Sequence, residues 1–411
     1  MLNKNNFAVI AATGLVVGNL IGAGILALPI SLGLVGAIPS LISILLYSSM
    51  MLFTADVLAR EAGEAKNEHF DYPSLYGHYL GKFGKWIAIA TNAILLYGVL
   101  IAYISGGTQI MSDILGITGT HIHVALILSV IFVVLTIMDL SIIHKYNTVL
   151  IIGLFLAFIS LIVLSVPNIS TSRLVETHWQ YFGLTIPLVV TASHFHNIIP
   201  TLCKELKWDV ALLRKAMILG MITAGIMNIA WTFCGIGCLE RGGKNGLVTA
   251  YVNNLPATVP MSNVLDSHLF TILAVVFSMV AITTSFLANG LGLMNFVKDI
   301  LHNVFKIDKL YLIRLVTFVP PVIIAIIWPD IFIKALNVAG GIGIVTLFGV
   351  LPCLISILKK GNSLKFKILG GFFLILSILA LVVVIGMLCN ISIFTPNPQN
   401  ELSSMIQILN A

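Results

Sequence analysis

Residues 5–55 contain no Asp, Glu, Lys, Arg or His. A helix needs about 20 apolar residues to cross the hydrocarbon core of a bilayer, so this one run holds two crossings. The rest of the chain is of the same kind. Of its 411 residues, 58% are hydrophobic and 9% charged, against about 25% charged in a soluble domain. Long continuous apolar runs also exclude a transmembrane β-barrel, whose strands alternate residue by residue. The fold class is an all-α polytopic membrane protein. Only Lys4 precedes the first run, which is too long for the apolar part of a cleaved signal peptide and reads as the first span.

Charge-free runs and turn residues divide the chain into about eleven spans. Their cores lie near 7–34, 37–59, 86–112, 122–139, 146–167, 180–200, 214–238, 265–296, 311–328, 332–357 and 366–390. Lys and Arg collect in cytoplasmic connections. With the N-terminus cytoplasmic, only Arg173, Arg241, Lys244 and Lys334 of the 22 Lys and Arg fall outside. The C-terminal tail, which has none, is then periplasmic. The net charge of +6 is thus a topology signal. No Arg-rich, aromatic-interleaved patch points to a nucleic-acid partner. The connections are too short for a soluble domain. One of them carries DYPSLYGHYLGKFGKW, which suits a short interfacial helix or a plain loop.

Inside the first span, residues 18–29 read GNLIGAGILALP. Glycine in a helix interior costs roughly 1 kcal/mol relative to alanine. Gly22, Ala23 and Gly24 either let helices pack closely or mark a discontinuous helix, whose unwound backbone is tolerated only where it lines a cavity or is buried in protein. The sixth span reads PLVVTASHFHNIIPTLCKEL and sets Thr191, Ser193, His194, His196 and Asn197 amid apolar residues. Polar groups at membrane depth are functional by default. Gly22 precedes Pro29 by seven residues, and Ser193 precedes Pro200 by seven. If residues 7–167 and 180–357 are two five-span units, the odd span count inverts the second relative to the first. Interrupted helices at corresponding places in such halves mark a transporter binding site. The span at 366–390 then stands outside the repeat.

At these residues the chain resembles the hydroxy and aromatic amino acid permeases of the amino acid–polyamine–organocation superfamily. GNLIGAGILALP is similar to their first-span motif. TASHFHNIIPTLCKEL resembles their sixth-span pattern, a Phe-His pair followed by Pro and a basic cytoplasmic loop. AYISGGTQI, from Ala102, resembles their third-span motif. The resemblance covers essentially the whole chain and is nearest to the tyrosine and tryptophan permease branch, with serine and threonine permeases adjacent. It implies a leucine-transporter-like 5+5 inverted repeat plus one extra helix, in a bacterial cytoplasmic (inner) membrane. It also implies alternating access and cation-driven uptake of a neutral, aromatic amino acid. No cofactor is implied beyond a coupling ion, proton or sodium. The family usually has glycines flanking the Phe-His pair. Here His194 and Asn197 take those places and add side chains where the family leaves room for backbone and substrate.

An amino acid zwitterion needs both charged ends satisfied out of water. Backbone N–H groups at the start of a half-helix suit the carboxylate, which makes Gly22, Ala23 and Gly24 candidates. Unwound turns supply acceptors for the ammonium, with Ser193 and Phe195 placed for this. In the resemblance the third-span tyrosine maps to Tyr103, whose hydroxyl would help hold the carboxylate; the plain alternative is interhelical packing. Asn19 either caps the break or bonds a neighbouring helix. His194 and His196 point about 200° apart on a regular helix, so one helix face does not present both to a metal. An imidazole titrates near neutral pH and suits a proton carrier or substrate donor; His196 matches the family histidine.

The eighth span contains FSMVAITTSFLANG. Hydroxyls in membrane helices most often bond back to their own backbone. Yet Ala281, Thr284 and Ser285 resemble the Ala-x-x-Thr-Ser run of the sodium site in leucine-transporter-like folds. Carbonyls of the broken first helix, at Gly18 and Ile21, would complete it. Asp56 and Arg60, four apart, read as an interfacial ion pair. Cys234 and Cys238 share a helix face but lack the partners of a metal site. A membrane enzyme would need convergent acids, bases or ligands, and the chain has no HExxH or Gly-x-Ser-x-Gly. A channel or amino acid sensor on the same fold would call for filter residues or long soluble domains. Lipid covers the exterior, and the sequence is silent on oligomeric state.

Overall fold

The computed structural model describes residues 4–66, 71–114, 116, 121–138, 141–389 and 391. The expectation for the C-terminal tail falls on residues 392–411, and the side chains of Ala23 and Lys145 also lie outside the described set. Every regular element among the described residues is a helix. In chain order these are α1 (Lys4–Leu20), α2 (Ala23–Gly33), α3 (Ala37–Ala65), α4 (Tyr72–Gln109), α5 (His121–Ile137) and α6 (Ser141–Ser165). A short α7 (Thr171–Val175) leads to α8 (Phe182–Ala192), α9 (Ile199–Glu205) and α10 (Val210–Cys238). After α11 (Leu247–Val252) and α12 (Thr258–Leu265) come α13 (His268–Phe305), α14 (Leu310–Ile327), α15 (Phe332–Val338), α16 (Leu351–Leu358) and α17 (Leu364–Leu388). A π-helical stretch, Ala339–Val350, joins α15 to α16.

Eight helical segments among the described residues are long and apolar enough to cross a membrane. The pair α1 and α2 makes a ninth, bent by 56° at its break, and His121–Ile137 and Ile152–Asn168 are shorter apolar helices. The chain is a multi-pass membrane protein. Its outward apolar side chains, such as Leu45, Ile127, Leu156, Ile226 and Ile375, are exposed because their solvent is lipid.

Within the connection at 60–85, the described residues from Tyr72 are helical and not a plain loop. Asp71 caps α4 by accepting from the Ser74 N–H at 2.8 Å, with Pro73 in the first turn where its missing N–H costs nothing. Gly81, at φ 66°, then turns this short helical arm into the long membrane helix. A residue with Cβ would be strained there.

One end of the bundle is charged. Asp56 accepts from Arg60 at 3.0 Å, as the i, i+4 spacing suggested, and also from Arg214 of α10 at 2.7 Å. Lys359 bonds Glu61 at 2.7 Å and Glu64 at 2.6 Å. Burial works against the Lys359 charge, but the bonds to the two carboxylates win, and its pKa lies above the ordinary lysine value. These contacts tie α3 to α10 and to the end of α16.

Candidate functional site

Two helices that should run through the membrane do not. In the first, the Ile21 N–H still reaches the Val17 carbonyl at 2.9 Å, and the next bond is from Ile25 N–H to Gly22 O at 3.2 Å. Gly22, extended at φ −113° and ψ −161°, opens α2 with no side-chain cap. The first N–H groups of a helix have no partner inside it and carry partial positive charge. In the sixth, α8 stops at Ala192. Ser193 to Phe195 are unwound, a single 3-10 turn runs from His196 to Ile198, and Pro200 lies in the first turn of α9.

The two breaks touch. A Cβ on Gly24 would stand 3.2 Å from Ala192 Cα, so glycine lets these backbones meet. The eighth span closes on the same point: a Cβ on Gly22 would lie 2.9 Å from Ser285 Oγ. Between the breaks and α4 and α13 lies a cavity of about 330 Å³.

Ten of the residues singled out in the sequence line this cavity: Gly18, Asn19, Gly22, Gly24, Tyr103, Thr191, His194, Asn197, Thr284 and Ser285. Asn19 therefore faces the cavity and does not cap α2. Tyr103 is held by Asn289, whose Nδ2 donates to the phenol oxygen at 3.2 Å and to the Ser285 carbonyl at 3.0 Å. Thr284 bonds back to the carbonyls of Val280 at 2.9 Å and Ala281 at 3.2 Å, as membrane hydroxyls usually do.

The side chains of the others point elsewhere. Ser193 Oγ pairs with Ser48 Oγ of α3 at 2.8 Å. Phe195 is fully buried in the core, as is Ala281, and Ile21 packs there too. His196 is sealed from solvent, with Nε2 2.9 Å from Thr54 Oγ1. Its ring stacks on Phe348 at 4.8 Å and lies nearly parallel to His194 at 5.9 Å. Its main-chain carbonyl accepts from the Ile199 N–H and from the Tyr72 hydroxyl at the start of α4. So His194 faces the cavity and His196 braces it. Ala23 begins α2; nothing further is described of its side chain.

Sequence reasoning missed Asn289 and the partners Ser48 and Thr54. Asn289 had a local signal, since it stands one helical turn after Ser285. Ser48 and Thr54 had none, being ordinary small polar residues in an apolar helix.

The cavity is closed at one end and reaches the other. Gln109 donates to Asn253 O at 3.5 Å and to Asp330 Oδ1 at 3.4 Å, and Ser105 bonds the Pro329 carbonyl. The Lys334 N–H reaches Asn254 Oδ1 at 3.3 Å, and the Ala257 N–H meets Leu26 O at 2.8 Å. Toward the charged end the lining runs on to Leu15, Thr201 and Ala288, the last two exposed. The cavity thus leads from the breaks toward the end that carries Asp56, Arg214 and Lys359.

A broken-helix cavity with one end shut is the geometry of a solute carrier, and the sequence profile of the tryptophan/tyrosine permeases matches residues 5–389. The chain belongs to the tryptophan/tyrosine permease family. Tyrosine-specific transport system 1 of Haemophilus influenzae is 31% identical to this permease over 399 residues, covering 92% of this chain and 95% of that protein. The tryptophan-specific transport protein of the same organism is 25% identical, covering 91% and 94%. Among solved structures, a manganese transporter of Eremococcus coleocola superposes with a TM-score of 0.63 at 15% identity, covering 98% of this chain and 90% of that one. That likeness concerns the fold alone.

Proposed function

We propose that this permease is a secondary active transporter. It carries a neutral, aromatic amino acid into the cell by cation-coupled symport and alternating access, across a bacterial cytoplasmic membrane. The observation that carries the reading is the cavity at the touching breaks of α1–α2 and α8–α9. The orphan N–H groups of α2 suit a carboxylate, and the freed carbonyls at the end of α1 and α8 suit an ammonium. Relatives named as tyrosine and tryptophan transporters support the substrate class. The eight spanning segments, the bent pair and the two shorter helices support eleven spans arranged as 5+5 plus one. In that arrangement the N-terminus is cytoplasmic and the charged end with Lys359 is the inner face. The closed end is then periplasmic, and the cavity opens inward.

The coupling ion is a proton or sodium. Thr284 and Ser285 line the cavity beside Gly18, which supports an oxygen-rich sodium site. His196, with the cavity-lining His194 beside it, is the candidate for a proton. Uptake into proteoliposomes under separately imposed proton and sodium gradients tests the whole reading. Tyrosine or tryptophan should accumulate under one gradient and not without any. Absence of accumulation under both, in folded protein, would refute it.

A further inference from the structure

One amide nitrogen on the cavity wall bridges two helices. Asn289 Nδ2 lies 3.0 Å from the Ser285 carbonyl, one turn back on α13, and 3.2 Å from the Tyr103 phenol oxygen on α4. A main-chain carbonyl only accepts, so the atom beside it is the amide nitrogen and not the amide oxygen. One hydrogen of that nitrogen goes to the carbonyl and the other to the phenol. Tyr103, Ser285 and Asn289 all line the cavity, together with Gly22 and Gly24 of the first break.

We infer, building on the transport reading above, that Asn289 is a positioning residue that sets the direction of the Tyr103 hydroxyl hydrogen. A phenol oxygen that accepts from Asn289 turns its own hydrogen away from it. That hydrogen then goes to the Ser285 hydroxyl beside it or to a group held in the cavity. A substrate carboxylate is the stronger acceptor of the two, because a charge-assisted hydrogen bond is roughly twice as strong as a neutral one. Asn289 thereby holds the phenol as a donor toward an anionic group without touching that group itself. Without Asn289 the phenol presents its lone pairs to the cavity as readily as its hydrogen, and the preference for an anionic group weakens.

The probes are tyrosine and tryptophan with their carboxamides, which keep the side chain and the α-amino group and replace the carboxylate by a neutral amide. Kd comes from the ligand-induced thermal shift of the detergent-purified protein, which also reports whether each variant is folded. The native protein should bind the free acid about 10-fold or more tighter than the amide, the scale of one charge-assisted hydrogen bond. Asn289→Leu and Asn289→Ala should each cut that ratio by about threefold or more, the scale of an ordinary hydrogen bond. Tyr103→Phe should cut it as well, and adding either Asn289 change to Tyr103→Phe should cut it no further, because the two residues act as one unit. Acid and amide weakened alike, with the ratio unchanged, would make Asn289 a mere part of the wall and overturn the inference. Additive losses in the double variants, or unfolding of both single Asn289 variants, also overturn it. Equal Kd for acid and amide in the native protein overturns it and leaves the transport reading intact. Native protein that shows the expected ratios but takes up neither amino acid into proteoliposomes under a proton or sodium gradient loses the transport reading and keeps the positioning role. Failure of folded native protein to bind either amino acid removes both.

Discussion

Gly24 offers the sharpest test of the touching breaks. A Cβ placed on it would stand 3.2 Å from Ala192 Cα and 3.4 Å from Ala192 Cβ and N. Ordinary carbon–carbon contact lies at about 3.5–4.0 Å, so Gly24→Ala is short by a few tenths of an ångström. Two of the three opposing atoms are main chain, which cannot rotate away. The half-helix α2 must therefore shift as a body. Gly24→Val adds two more carbons and demands roughly 1 Å, in a structure where overpacking already costs about 1–3 kcal/mol.

The N–H groups at the start of α2 move with it. A hydrogen bond to a charged group contributes about 1.5–3 kcal/mol, and one such bond lost lowers affinity roughly 10- to 150-fold. Gly24→Ala should weaken substrate binding about 10-fold by partial lengthening, and Gly24→Val about 100-fold or more by outright loss, on the same scale. The assay is the thermal shift of the detergent-purified protein with tyrosine or tryptophan, alongside uptake kinetics. Substrate at 100 times its Kd stabilises the native protein by about 2.7 kcal/mol. The valine variant should fold but lose that increment at the same concentration. Wild-type KM and an undiminished shift in Gly24→Val would show that the backbone at this break does not hold the substrate.

Thr54→Val removes the partner of His196 Nε2 in a site closed to solvent. The unpaired nitrogen should destabilise the protein by about 1–3 kcal/mol, visible as a lowered Tm. If His196 only braces the cavity, KM should stay within about twofold, which corresponds to under half a kcal/mol; a large change would place His196 in the transport chemistry. Asp56→Asn weakens two charge-assisted bonds at once, to Arg60 and Arg214. Both arginines keep partial access to solvent, so the loss should be modest, about 1–2 kcal/mol. Denaturant or thermal unfolding measures it, and a loss above about 4 kcal/mol would mean that the pair is far more buried in the bilayer than its exposure indicates.

Much of the fold was legible because the bilayer is a severe solvent. It forces long apolar runs and confines charges to the ends, so the spans and the charged face could be read from residue types alone. The breaks were legible for the same reason. Gly22 and Gly24 before Pro29, and Ser193 and His194 before Pro200, are local violations of what a spanning helix wants. The segment at Tyr72 stayed ambiguous because its aromatic and glycine residues suit a loop equally well, and the Asp71 cap shows that it is helical.

What stayed hidden was which side chains a break turns outward. Once the helix unwinds, its periodicity no longer fixes direction, and the 200° rule for His194 and His196 fails. In the structure their ring centroids lie 5.9 Å apart and both rings stack on Phe348. One faces the cavity and the other is sealed behind it. That division is set by contacts distant in sequence: Thr54 and Tyr72 hold His196 from α3 and the start of α4, and Phe348 packs both rings from the π-helical stretch. The residue that best matches the family pattern is thus buried against Thr54, and the two that depart from it, His194 and Asn197, line the cavity.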